Sequence, residues 1–306
     1  VRIMAEDLVV FRDGQGRIGT LHLHCAHRGA SLEYGRTEAR GIRCCYHGWL
    51  YDTEGRCIEM PCEQPGVVER MDVWQPAYPT VEFGGLVFIY MGPLEKQPPF
   101  PIFDICDTRQ RRDITLRGLQ IWGDASIGFV RDCNWLQHYE NVVDPWHLVV
   151  LHQQVGLGKY EGPLIHGRKP EISFERTPAG VRYKLLLDLP NGNRLERYSE
   201  CVLPNIFLVS NIHEDGTRER IEDKASEVSW VVPVDNDQIT SFTISICPLV
   251  DGKPDPNWWP RTDTAKVGGA PLNRGEPSAR RGQRTYEEQQ RLPDDAEAQE
   301  GQRPIA

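Results

Sequence analysis

The sequence predicts an α+β protein: a small all-β module, then a larger unit built on an extended antiparallel sheet with few helices. Three observations lead there. Residues 1–92 alternate short apolar runs with turn signals such as Asp13-Gly14, Glu33–Gly35 and Glu54-Gly55. Residues 92–101 (GPLEKQPPFP) form a proline-rich break. Beyond that break, long β-patterned runs dominate and one stretch, residues 131–152, has the strongest helical pattern.

Taken in order, strands are expected at Leu8–Phe11, Gly19–Leu23, Gly41–Arg43 and Gly85–Tyr90. The helical stretch is interrupted at Pro145. Further strands are expected at Glu171–Arg176, Val181–Leu189, Arg194–Val209, Val228–Val234 and Ile239–Pro248, and Tyr286–Gln302 reads as a closing helix. The domain reading is a first domain at 1–92, a linker at 93–101 and a second domain at 102–306.

Composition narrows the partners. With 306 residues, 39% hydrophobic and 26% charged, the chain has the profile of an ordinary globular protein with one or two domains. A formal charge of −9 argues against a nucleic-acid partner, which needs a basic footprint. The longest apolar stretches, such as Val202–Val209, are strand-sized, far below the roughly 18–20 residues of a membrane helix. The start shows no secretory signal, so a cytoplasmic protein without membrane contact is expected. The chain lacks an initiator Met and ends abruptly at Pro304-Ile305-Ala306, which reads as trimming at both ends.

Five of the nine cysteines (Cys25, Cys44, Cys45, Cys57 and Cys62) fall within 38 residues, beside histidines. That clustering suits a metal centre better than a disulfide framework. Cys25-x-His27 is followed after sixteen residues by Cys44-x-x-His47. Zinc is the bland alternative, but its usual Cys₂His₂ order separates the two residue types into a Cys pair and a His pair. Here each pair mixes Cys and His. The mixture lets one iron take both thiolates and the other both imidazoles, which raises the reduction potential above that of an all-Cys cluster. Gly29 and Gly48 permit tight turns in the two loops, and Trp49 is placed to shield one side. Cys45, Cys57 and Cys62 have no motif role and read as structural thiols.

The residues CAHRG and CCYHGW resemble Rieske proteins, and specifically the ring-hydroxylating oxygenase branch. Respiratory Rieske proteins carry an extra disulfide between the loops; Ala30 and Tyr46 stand at those positions here. The resemblance implies a [2Fe-2S] cluster on Cys25, His27, Cys44 and His47.

A second constellation follows in NWLQHYENVVDPWHLVVLH, residues 134–152. Two histidines and a carboxylate on one face of an iron make the facial triad that binds dioxygen. His147 and His152 are five residues apart, or about 140° round an ideal helix, so both reach one metal only if the helix breaks between them. Pro145 suits the first turn of a new helix with Asp144 as its N-cap. One helix is therefore expected from about Arg131 to Val143, with a second beginning at Pro145 and irregular by His152. His138, about two turns before His147, is set aside as a ligand.

The run Asp144-x-x-His147-x-x-x-x-His152 is similar to the catalytic domain of Rieske non-haem iron oxygenases. By that resemblance the third iron ligand is Asp295, with Asp294 the near alternative, since Gln-Glu follows four and five residues later. Asp144 would bridge His147 to His47 of the partner subunit, with Glu140 and Asn134 in support.

The resemblance, strongest to the phthalate-dioxygenase-like and aryl O-demethylase-like group, implies a Rieske domain followed by a helix-grip catalytic domain. It implies the oxygenase (alpha) component of a system that hydroxylates or oxidatively O-demethylates a carboxylated aromatic substrate in aromatic catabolism. Such a system uses O2, Fe(2+) and electrons from NAD(P)H through a separate reductase, sometimes a ferredoxin, and the oxygenase is a homotrimer. The alternatives are a cis-dihydroxylating ring dioxygenase and a Rieske electron-transfer protein without oxygenase activity.

Overall fold

The computed structural model describes residues 1–121, 130–147, 150–151, 169–189, 192–209, 225, 227–255, 265–267, 270–272, 285–291, 293 and 295–305. The chain divides into two compact units, Val1–Pro101 and Ile102–Ala306.

In the first unit, β1 (Arg2–Ile3), β2 (Glu6–Arg12) and β3 (Ile18–His22) form a three-stranded antiparallel sheet. A four-stranded sheet follows, made of β4 (Arg36–Glu38), β5 (Gly41–Arg43), β6 (Leu50–Tyr51) and β7 (Cys57–Glu59). After α1 (Val67–Met71), β8 (Thr80–Phe83) and β9 (Leu86–Ile89) pair as a hairpin. Leu21, Leu32 and Tyr51 are completely buried, and Cys25, Cys44 and Trp49 lie in the same cluster. Each large apolar side chain buried this way contributes about 1.5–3 kcal/mol. The residues of the candidate cluster site are thus part of the unit's core. Leu50 and Tyr51 are neighbours and both buried, and the register shifts between them as β6 meets β7.

The second unit is built on one antiparallel sheet. Its strands are β10 (Ile114–Ile121), β11 (Glu171–Thr177), β12 (Gly180–Asp188), β13 (Arg194–Val202), β14 (Ile206–Val209), β15 (Glu227–Pro233) and β16 (Ile239–Val250). They lie in the order β10-β16-β15-β14-β13-β12-β11, with β17 (Lys253–Pro254) paired to β16. β18 (Ala265–Val267) and β19 (Ala270–Leu272) form a separate hairpin. On β12, Tyr183, Leu185 and Leu187 alternate inward, opposite Ser199, Arg197 and Leu195 of β13. The helix α2 (Trp135–Val142) packs on this sheet, with Tyr139 against Cys201, Phe207, Val231 and Ile239. Two short helices close the chain, α3 (Tyr286–Arg291) and α4 (Asp295–Glu300). Among the described residues no helix is long and apolar enough to cross a membrane.

The large sheet and the sparse helices agree with the α+β expectation, and several boundaries differ from it for local reasons. The expected strand Arg194–Val209 is two strands, β13 and β14, joined through a turn at 203–205 that contains Pro204. The expected closing helix is split into α3 and α4 on either side of Pro293. α2 starts at Trp135 rather than Arg131, because Asn134 and Gln137 form a capping box there. Asn134 is therefore spent on the cap, and Glu140 points to solvent. Arg131 instead bridges to Ile239. The strand β10, absent from the sequence reading, pairs with β16 from Ile114↔Pro248 to Ile121↔Ser241.

Candidate metal centres

The two Cys/His loops of the first unit are copies of one backbone device. In the first, the Cys25 N–H donates to Ala30 O at 2.9 Å and the Gly29 N–H returns to Cys25 O at 2.8 Å. In the second, the Cys44 N–H donates to Trp49 O at 2.9 Å and the Gly48 N–H returns to Cys44 O at 3.1 Å. Gly29 and Gly48 both take the left-handed conformation, at φ 69° and 74°, which a residue with a Cβ adopts only under strain. Each loop turns back on itself and presents one thiol and one imidazole.

The thiols lie inward and the imidazoles outward. Cys25 and Cys44 are each only 3% exposed, whereas His27 and His47 are half-buried. The imidazole rings of His27 and His47 meet edge-on with centroids 4.6 Å apart. Trp49 lies flat on His27 at 4.4 Å, an interplanar angle of 3°. Tyr51 places its hydroxyl 3.1 Å from Cys25 Sγ.

These residues suit a binuclear iron cluster better than a lone ion. Burial, first of all, pushes the Cys25 thiol up; Tyr51 opposes this, and the neighbouring Cys44 reinforces it. Two adjacent buried thiols ionise readily only with positive charge between them, which a metal centre supplies. Burial, then the charges of His47 and Arg28, hold His27 below the usual histidine range, leaving it neutral as a ligand must be. His27 Nδ1 is buried and makes no hydrogen bond among the described residues, as an atom meant for a metal would. Among the described residues no three His, Cys, Asp or Glu side chains converge on a single ion. Two thiols and two imidazoles instead stand as two like pairs.

The second centre lies beyond α2. Residues 145–147 are helical, and Asp144 caps them by accepting the Trp146 N–H on Oδ1 at 2.8 Å. Pro145 occupies the first helical position. His147 Nδ1 sits against the Asp144 carbonyl oxygen, so its N–H donates there and Nε2 keeps the lone pair. Nε2 lies 3.7 Å from Asp295 Oδ1, a spacing that two bonds of about 2.1 Å to one ion can span. Asp295 is only 7% exposed, so its carboxylate faces the protein interior on the side of His147. His147 and Asp295 are thereby brought together, and the Asp144 carboxylate, half-exposed, has Oδ2 3.9 Å from His147 Nδ1. The remaining candidates, His152 and Asp294, lie outside the described residues.

A polar network that the sequence reading missed fixes α4, which at six residues is too short to hold itself. Gln299, one turn after Asp295 and 1% exposed, accepts from Arg131 Nη1 at 2.5 Å and from His138 Nδ1 at 2.8 Å. Glu300 Oε1 accepts the Asp132 N–H at 3.1 Å, and Gln137 Nε2 donates to Gln302 Oε1 and Arg303 O. The segment that leads into Asp144 and His147 is thus stapled to the one that carries Asp295. Tyr51, like this network, escaped the sequence reading: in a strand it is indistinguishable from a core aromatic.

Burial, and secondarily Arg131, lower the His138 pKa from 6.5 to about 4. Between those values the unfolded chain binds a proton that the folded chain refuses, so stability falls as pH falls through that window. His138→Leu should flatten this part of the slope in thermal unfolding of chelator-treated protein from pH 7 to pH 4. A slope unchanged by the substitution would contradict a buried neutral His138.

Known proteins resemble the chain in sequence and in fold. A Rieske [2Fe-2S] domain is matched at residues 1–79. The chain is 39% identical over 250 residues to the phenoxybenzoate dioxygenase subunit alpha of Ectopseudomonas oleovorans, covering 79% of this chain and 58% of that protein. It is 35% identical over 316 aligned residues to the tert-butanol monooxygenase / tert-amyl alcohol desaturase oxygenase subunit of Aquincola tertiaricarbonis, covering 100% of this chain and 63% of the other. This chain therefore spans roughly three-fifths of the length of those relatives. The crystal structure of dicamba monooxygenase bound to dicamba shares the fold, with a TM-score of 0.60 at 18% identity over 80% of this chain and 71% of that one. The chain thus carries a Rieske [2Fe-2S] domain and is similar over most of its length to oxygenase subunits.

Proposed function

We propose that the protein is the oxygenase component of a system that hydroxylates or oxidatively O-demethylates a carboxylated aromatic substrate, with electrons from NAD(P)H delivered through a separate reductase. The observation that carries this reading is the pairing, in one chain, of twin Cys/His loops with a second site where His147 Nε2 faces a buried Asp295. A carrier would need only the first.

When bound, a Rieske cluster supplies one-electron transfer and a mononuclear iron supplies dioxygen activation. The chain's own residues supply the rest. Cys25 and Cys44 would hold one iron of the cluster, His27 and His47 the other. Tyr51, whose own proton is held by burial, would donate its O–H to the Cys25 thiolate. His147, His152 and Asp295 would hold the mononuclear iron. The Asp144 main-chain carbonyl fixes the His147 tautomer. Its exposed carboxylate would accept an N–H from His47 of the partner subunit in a homotrimer, coupling the two centres. All nine cysteines are free thiols, which suits a cytoplasmic, reducing compartment.

The relatives' names place phenoxybenzoate, an aromatic acid, beside tert-butanol, so the substrate panel needs both classes. With methoxybenzoates, NADH and a reductase, O-demethylation predicts formaldehyde in step with oxygen uptake, and cis-dihydroxylation predicts a diol without formaldehyde. His147→Ala and Asp295→Ala should bring turnover to background while the cluster's visible spectrum persists. A reduced cluster that passes electrons on, with no oxygen uptake on any substrate, would mark an electron carrier and sink this reading.

Tyr51→Phe tests the hydrogen bond to Cys25. Donation to a thiolate favours the electron-rich reduced state, so its loss should lower the cluster's potential. The expected fall is about 20–60 mV, the one-electron equivalent of a net hydrogen bond of about 0.5–1.5 kcal/mol. An unchanged potential by redox titration would show that the hydroxyl does not act on the cluster.

A further inference from the structure

Gln75 lies outside every motif and is only 1% exposed. Its Oε1 accepts the Ala26 N–H at 2.8 Å, and its Nε2 donates to His22 O at 2.7 Å and His24 O at 2.8 Å. Both amide hydrogens and the carbonyl are thus spent on the backbone of residues 22–26, the segment that enters the first cluster loop. The Gln75 N–H itself donates to Gly55 O at 2.7 Å, in the turn that follows β6. That approach requires glycine, since a Cβ at position 55 would stand 2.1 Å from Gln75 O. The next residue continues the strap, with the His22 N–H donating to Pro76 O at 2.8 Å.

The second loop is braced by a different chemistry. Arg43 Nη1 donates to Gly48 O at 2.6 Å, and Arg43 is itself held by Glu38 and Glu59. The two loops share one backbone design, yet a neutral carboxamide holds the first and a guanidinium the second.

The Ala26 N–H lies between the ligands Cys25 and His27, one residue before the His27 N–H, which itself donates to the Cys25 sulfur. An N–H committed to Gln75 Oε1 is not free to donate elsewhere. We propose that Gln75 is a positioning residue for the cluster: it fixes the first loop and withholds the Ala26 N–H from it, keeping the potential lower than a freed loop would. The proposal rests on the cluster assignment to Cys25, His27, Cys44 and His47. Gln75 and Tyr51 then act in opposite senses, one removing a donor and the other adding one.

The test uses the cluster-loaded protein with Gln75→Leu and Gln75→Met, whose side chains fill similar space without the three hydrogen bonds. The midpoint potential should rise above the parent's and the EPR g-values of the reduced cluster should shift. Bleaching by a chelator should be faster by about 10- to 1,000-fold, the range that three unmade hydrogen bonds of ordinary net strength correspond to. If Gln75→Leu sheds its cluster with its circular dichroism intact, Gln75→Met, with its pliable thioether, carries the potential measurement. The proposal is overturned if both variants keep the parent's potential and g-values, even with faster bleaching, because Gln75 is then only a brace. Global loss of circular dichroism also overturns it, since Gln75 is then a general core residue. A parent protein with no Rieske signature at all would instead sink the cluster assignment, whatever the variants do.

Discussion

Two thiols buried side by side in a small β core are the constraint on which the first unit depends. Cys25 and Cys44 pack with Leu21, Leu32, Trp49 and Tyr51, where an ionised sulfur without a counter-charge would cost several kcal/mol. A site of this kind is workable when positive charge sits between the thiolates and donors surround them. The rest of the unit is arranged to that end. Two loops with the same hydrogen-bond pattern bring the sulfurs together, Tyr51 reaches Cys25, and the imidazoles form the more exposed side. Sulfurs inside and imidazoles outside give the proposed cluster a built-in polarity.

The second unit meets a similar constraint with a carboxylate. Asp295 is buried at the start of a six-residue helix that has little stability of its own. Its place is set by hydrogen bonds from far up the chain, through Arg131, Asp132, Gln137 and His138. Those residues lie on or just before α2, which rests on the large sheet and leads into Asp144 and His147. One rigid platform therefore orients both described sides of the proposed iron site. Buried polar networks of this kind are costly when incomplete, which ties the ligand geometry to the packing of the whole unit.

What could be read from the sequence was local. The mixed Cys/His pairs are short-range patterns, and so is the Asp144-Pro145 helix start, where the structure shows Asp144 capping the next turn. The alternation that predicts a half-buried sheet is also local, and the sheet is there. What could not be read depends on contacts between distant residues. Gln299 meets Arg131 across 168 positions, and Gln75 meets residues 22–26 across 49 to 53. Such pairs leave no periodic trace. Tyr51 and β10 were missed because a strand residue that serves a site looks like one that serves the core. The proline turn at 203–205 and the break at Pro293 were visible as prolines, but apolar and helical runs on both sides masked them.

The central claim is that one chain holds a cluster with two unlike irons, one on thiolates and one on imidazoles, and a separate mononuclear iron. Mössbauer spectroscopy of protein grown on isotopically enriched iron tests it most directly. The account predicts two cluster subsites in equal amounts with distinct isomer shifts, and a further ferrous ion that a chelator removes without disturbing them. A single type of cluster iron, or a protein that purifies with zinc on the Cys/His loops, would contradict it.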